Sequence, residues 1–174
     1  MQFGSSLDKR KVQGLVKDTG WNDFLELNRM AFSNLLPRNS ESRCIAIAMQ
    51  LIKKHYPNIQ WIISFADGCQ CGDGTIYRAS GFVLTSIKRN TGQRIDEKTG
   101  EVFSQVTFSA HRPNDKDYWK TLKKLDGFQF RYIYFIDKKK EQDLTVPVLP
   151  FSKIDELGAG MYKGKKISLK NRRV

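Results

Sequence analysis

The stretch SFADGCQCGDGTIYRASGF, residues 64–82, gathers two cysteines, two aspartates, a tyrosine and four glycines. Three chemistries draw on such a set: a metal knuckle, a phosphate-cradling glycine loop, or an acid–base pair at a strand end. Cys69-x-Cys71 is too closely spaced for a structural zinc knuckle, and no second Cys/His pair follows it. The two histidines, His55 and His111, are far apart, and the spacing lends an iron site no support, so no metal is expected. DGCQCGDG matches neither the P-loop nor the dinucleotide glycine pattern. The remaining reading is positional. Asp67 ends the apolar run WIISFAD, at the carboxyl end of a strand where open sheets place their ligands. Tyr77 follows in a short helix. A carboxylate there accepts a proton and a phenol donates one or orients a leaving group. The plainer alternative is that Asp67 caps the turn and Tyr77 packs in the core.

The elements that must position these groups are legible as periodicities. Residues 23–33 read as a strand, and LLPRNSESR as a polar loop broken by Pro37. Apolar positions 44, 45, 48, 49, 52 and 56 have helical spacing, with Asn39 or Ser40 as N-cap and Pro57 closing the far end. WIISFAD has the length and continuity of a strand buried on both faces. GTIYRASGF reads as a short helix ending at Gly81, after which Phe82-Val83-Leu84 opens a strand. Residues 88–101 read as a polar turn region, EVFSQVTFSA and FQFRYIYFID as strands, and DKDYWKTLKKL as an amphipathic helix, with His111 in a loop. The order predicts an α+β domain with helices packed on a sheet.

Length and charge bound the partners. At 174 residues and 40% hydrophobic, the chain suits one domain with a real core. No apolar run approaches a membrane span, and the first residues lack a secretory apolar region. Three cysteines make a poor disulfide framework, which points to a reducing cytoplasm. The net charge of +12 indicates a polyanionic partner, with nucleic acid ahead of membrane. Lysines and arginines cluster at Lys9-Arg10-Lys11, Lys138-Lys139-Lys140 and GKKISLKNRRV. Within the last, Lys163, Lys165, Lys166, Arg172 and Arg173 are the expected phosphate contacts. Tyr118, Trp119, Tyr132 and Tyr162 are the planar side chains that could stack on a base, with core packing the simpler role for the first three.

The succession of strand, polar loop, long helix, second strand and Tyr-bearing helix resembles the second half of the GNAT-like (Gcn5-related) acetyltransferase fold. In that family the loop before the long helix offers backbone amides to a coenzyme A pyrophosphate, using the positive end of the helix dipole. The resemblance places Arg38, Asn39, Ser40, Ser42 and Arg43 at the cofactor, although this loop lacks the family's glycines.

A more specific resemblance covers most of the chain. LELNRMAFSNLLPRNSESR, KKHYPNIQWIISFADGCQCGDGTIYRASGF and LTVPVLPFSKIDELGAGMY are similar to phage Mom-family DNA modification proteins. Those proteins convert adenine in DNA to its N6-carbamoylmethyl (acetamido) form and so hide phage DNA from host restriction. The resemblance implies an enzyme in the host cytoplasm that acts on double-stranded DNA with a small acyl or aminoacyl donor. Acetyl-coenzyme A is the habit of the fold, and a glycine-derived donor suits the product better. It also implies functional roles for Arg29, Ser42, Asp67 and Tyr77. Asp67 or Tyr77 would take the N6 proton, and Arg29 would hold an anionic or carbonyl oxygen. The alternatives are an acyltransferase acting on another amine and a non-catalytic DNA-binding remnant.

The resemblance further implies that Met1 enters the fold midway. The family's upstream strands and helices, with a His-Tyr pair, then have no counterpart here. Residues 1–163 are expected to form one domain and 164–174 a basic flexible tail. A half-sheet with an open edge would be unstable or inactive alone, or would need a partner strand or a second copy.

Overall fold

In the computed structural model, which describes residues 1–33, 35–162 and 165–168, the chain opens with strand β1 (Gln2–Gly4), helix α1 (Lys9–Gln13) and strand β2 (Phe24–Arg29). Helix α2 (Ser40–His55), strand β3 (Trp61–Asp67), helix α3 (Thr75–Ala79) and strand β4 (Val83–Arg89) follow. The middle of the chain forms β5 (Gln93–Ile95), β6 (Val102–Ser104), α4 (Gln105–His111), α5 (Lys116–Thr121) and β7 (Lys123–Lys124). Strand β8 (Phe128–Phe135), helix α6 (Ser152–Glu156) and strands β9 (Met161–Tyr162) and β10 (Lys165–Lys166) complete it.

The main sheet has the order β1-β2-β3-β8-β4. Only β2 and β3 are parallel within it, and every other pairing is antiparallel. A parallel pair needs a long crossover, which α2 supplies. The fold is therefore α+β, a mixed sheet flanked by helices. Strand β8 reaches its central place from far along the chain and pairs β3 over seven positions, Trp61↔Phe135 to Asp67↔Gln129.

Strand alternation divides the apolar residues between two cores. Ile45, Met49 and Ile52 of α2 pack on Leu27, Ile62, Leu84, Phe130 and Tyr132. On the other face, Val12, Leu15 and Val16 pack on Phe24, Trp61, Ile63, Ile133 and Phe135. The rings of Phe24 and Trp61 stack there at 4.5 Å. WIISFAD is buried as expected except at Phe65, which is 48% exposed, and Asp67, which is half-buried. A smaller sheet, β6-β5-β7, projects from the chain between β4 and β8.

Several expectations are corrected. The first strand stops at Arg29 rather than residue 33. Asn39 takes the N-cap position of α2, but with φ +69° and no capping bond from its side chain. Residues 93–95 of the polar region pair as β5 with both β6 and β7. EVFSQVTFSA is not one strand, because only Val102–Ser104 is extended and Gln105–His111 is helical. The helix turns Phe108 into a ring cluster with Phe103, Tyr118 and Trp119, at 5.0 to 6.1 Å between centroids. That burial outweighs the alternation of the sequence. His111 ends this helix instead of lying in a loop. Tyr132 is fully buried and cannot stack on a base, because α2 and the α3 segment cover its face of the sheet. Lys165 and Lys166 form strand β10 within the stretch read as tail.

Candidate active site

Strands β2 and β3 are in register from Phe24↔Trp61 to Glu26↔Ile63, and then the ladder ends. Beyond that point β2 stays bonded to β1 and β3 to β8, so the parallel strands part at their carboxyl ends. Ser64 spans the opening: its hydroxyl donates to the Leu27 carbonyl at 3.1 Å. Because α2 runs back across the sheet from β2 to β3, its first turn lies at this same edge.

Tyr77 enters the site from the α2 face. Its ring packs at 5.3 Å from both Phe82 and Tyr132. Burial pushes its phenol above the usual tyrosine range, with the Ser64 hydroxyl opposing and the charges of Cys71 and Glu26 adding to the rise. At neutral pH Tyr77 is a neutral phenol, a donor rather than a base. Gly74, at the start of α3, has φ +85°, and a Cβ there would collide with the Tyr132 ring. Tyr132 in turn donates its hydroxyl to the Asp73 carbonyl, which seats the helix bearing Tyr77.

Asp67 ends β3, and strand alternation gives it the face of Ile63 and Phe65, opposite Ser64 and Tyr77. Its carboxylate accepts the Cys69 amide at 2.9 Å and the side-chain amides of Gln93 at 2.8 Å and Gln70 at 3.3 Å. Asp67 and Tyr77 thus share one end of the sheet on opposite faces, and no hydrogen bond joins them among the described residues. The Cys69 thiol is pushed up to about 12 by burial and then by the Asp67 charge, so it stays protonated. A cleft of about 380 Å³ opens beside this turn, lined by Gln70, Phe103, His111 and Arg112 among others. Among the described residues no group of three or more His, Cys, Asp or Glu is arranged to hold a metal ion.

Arg29 lies exposed at the end of β2, in register with Gln2 of β1. Arg38, Asn39 and Arg43 are exposed around the α2 N-terminus, whereas Ser40 and Ser42 are half-buried. Ser42 donates its hydroxyl to the Asn39 carbonyl at 3.1 Å, and Ser40 donates to Pro37 at 2.6 Å. Among the described residues, Arg29, Arg38 and Arg43 form no ion pair. Tyr118 donates to Asp96 at 2.7 Å, and Trp119 lies beneath Arg94. Lys163, Arg172 and Arg173 fall outside the described residues.

Sequence reasoning missed Ser64, Glu26 and Gln93. Ser64 carries a signal, a hydroxyl inside an otherwise apolar strand. Glu26 is one polar residue in an alternating strand, and Gln93 comes from a polar loop whose path only the fold reveals.

The sequence matches the Mom protein family over residues 1–153. It is 32% identical over 152 residues to methylcarbamoylase mom of Escherichia phage Mu, covering 83% of this chain. The chain spans 61% of the length of that relative.

Proposed function

Since the chain belongs to the Mom protein family, we propose that it modifies adenine in phage DNA, placing a carbamoylmethyl group on N6. The observation that carries the reading is the opening between β2 and β3, where Ser64 bridges the strands and the half-buried Tyr77 phenol faces it. A parallel pair that parts beneath a helix N-terminus suits a small donor on an anionic carrier, as in a GNAT-like fold. Arg29, Arg38 and Arg43, in no ion pair among the described residues, supply positive charge at that edge, beside Asn39, Ser40 and Ser42.

In the transfer, the N6 lone pair forms a bond to the methylene carbon of a carbamoylmethyl donor as that carbon's bond to its leaving group breaks. The N6 proton passes to a base and the leaving group takes up a proton. Tyr77, held neutral, is suited to the second task. The Tyr77 hydroxyl regains a proton from N6 as it gives up its own, because Asp67, held by three donors, stands on the opposite face of the sheet end. Base flipping would bring the amine to the site. Modified DNA in the host cytoplasm would then escape restriction.

The test is nucleoside mass spectrometry of DNA from cells expressing the chain. Carbamoylmethyl-adenine in the wild type, lost in Tyr77→Phe, is the expected result. Its absence from wild-type DNA, with an acylated small-molecule or protein amine in its place, defeats the proposal.

A further inference from the structure

The Asp73 side chain, in the turn between β3 and α3, is wholly buried. A carboxylate out of water persists only among hydrogen bonds and opposite charge. Two of its bonds come from α3: Arg78 donates to Oδ1 at 3.3 Å and Thr75 at 3.4 Å. A third comes from β9, where the Met161 amide donates to Oδ2 at 3.0 Å. The Asp73 amide donates back to the Met161 carbonyl at 3.1 Å, and Gly72 forms an antiparallel bridge with Tyr162. A single buried residue therefore binds both the first turn of the Tyr77 helix and the strand 88 residues further on.

That strand leads a basic hairpin. Lys165 and Lys166 of β10 pair with Tyr162 and Met161 of β9. Both lysines are exposed and neither pairs with a carboxylate among the described residues. Tyr162 is 47% exposed. Closure of the hairpin depends on Gly160, whose carbonyl accepts the Ile167 amide at 3.0 Å and where a Cβ would collide with the Ile167 carbonyl oxygen. All of this lies beyond the residues that match the family.

We propose that the β9–β10 hairpin is a nucleic-acid contact built onto the site, with Lys165 on a backbone phosphate and Tyr162, its cross-strand partner on the same face, against an unstacked base. Asp73 is the positioning residue that fastens it beside Tyr77. The inference rests on the DNA reading above and names how the strand is held. A point charge on a pinned hairpin matches a polyanion, and the exposed ring beside it, next to the Gly72 turn, offers a sequence-tolerant stacking face.

The test is the salt dependence of binding of the whole chain to a mixed-sequence adenine-containing duplex. Lys165→Gln should reduce the slope of log K against log salt by about 0.9, for the one phosphate no longer neutralised. Asp73→Asn should reduce it similarly with Lys165 intact. Met161→Pro removes the β9 donor but leaves Arg78 and Thr75 on Asp73, and should do the same without unfolding the core, as a thermal melt would show. A wild-type slope in the lysine variant, or in a folded Met161→Pro, overturns the inference and leaves the DNA reading standing. A wild-type chain with no salt-dependent binding overturns both.

Discussion

The carboxylate of Asp67 accepts the side-chain amide of Gln93 at 2.8 Å, which ties the end of β3 to the first residue of the small sheet. Asp67 is thereby held from two directions, by its own turn through Cys69 and Gln70 and by a strand 26 residues away. The small sheet is coupled to the site through this bond.

Asp67→Asn weakens the bonds from Cys69, Gln70 and Gln93 that hold the end of β3, and should lower adenine modification by about tenfold. Gln93→Leu should lower it by about tenfold, since a hydrogen bond to a charged group contributes about 1.5 kcal/mol. Quantitative nucleoside analysis checks both. Equal activity in Asp67→Asn and wild type would mean that the charge on Asp67 is not needed to hold this end of the sheet.

Tyr77→Phe keeps the ring packing against Phe82 and Tyr132 and removes the hydroxyl. Modification should fall by about 10²-fold with the fold intact. The same variant tests linkage. Tyr77 ionises at higher pH in the folded chain than the ordinary tyrosine value of 10.0, so its contribution is whole below pH 10. It is lost as pH rises through the folded value. Denaturant titrations at rising alkalinity should show wild-type stability falling more steeply than that of Tyr77→Phe.

Cys71 is exposed, whereas Cys69 is buried with its thiol pushed up to about 12. Iodoacetamide near neutral pH should therefore label Cys71 and spare Cys69, which peptide mass spectrometry resolves. Asp67→Asn removes the nearby negative charge and should make Cys69 more readily labelled as the solution is made alkaline.

Gly74→Ala and Gly100→Ala form a matched pair. Both positions have positive φ, at +85° and +74°. A Cβ at Gly74 meets the Tyr132 ring, whereas at Gly100 it meets nothing within 4 Å. Backbone strain should cost about 1 kcal/mol at each, and the collision about 1–3 kcal/mol more at Gly74. Urea midpoints distinguish the two. Equal losses would mean that the Tyr132 ring yields.

The parts of this molecule legible beforehand are those whose signal is local. Helix α2 repeats its apolar residues every three to four positions, and Ile45, Met49 and Ile52 are the ones buried. WIISFAD became β3 with the expected bounds because a continuous apolar run leaves few alternatives. EVFSQVTFSA misled because its apolar spacing suits either period, and only the Phe103–Phe108–Trp119 cluster selects a helix after Ser104. In the sequence Asp73 is one of several polar residues between WIISFAD and Tyr77. Nothing near it in sequence announces the Met161 amide that makes its burial tenable.

By itself the sequence determined the alternation of strands and helices, the apolar faces, the basic character and the resemblance to a DNA-modifying family. These follow from composition, residue period and motif, which neighbours in the chain set. Tertiary structure decided the rest: that β8 lies between β3 and β4 with Tyr132 covered by α2 and α3, and that Asp67 and Tyr77 stand on opposite faces of one sheet end. It also decided that a terminal hairpin docks on Asp73. The reason is that strand order and docking depend on hydrogen bonds and burial between segments distant in sequence, and residue period carries no record of which segments those are.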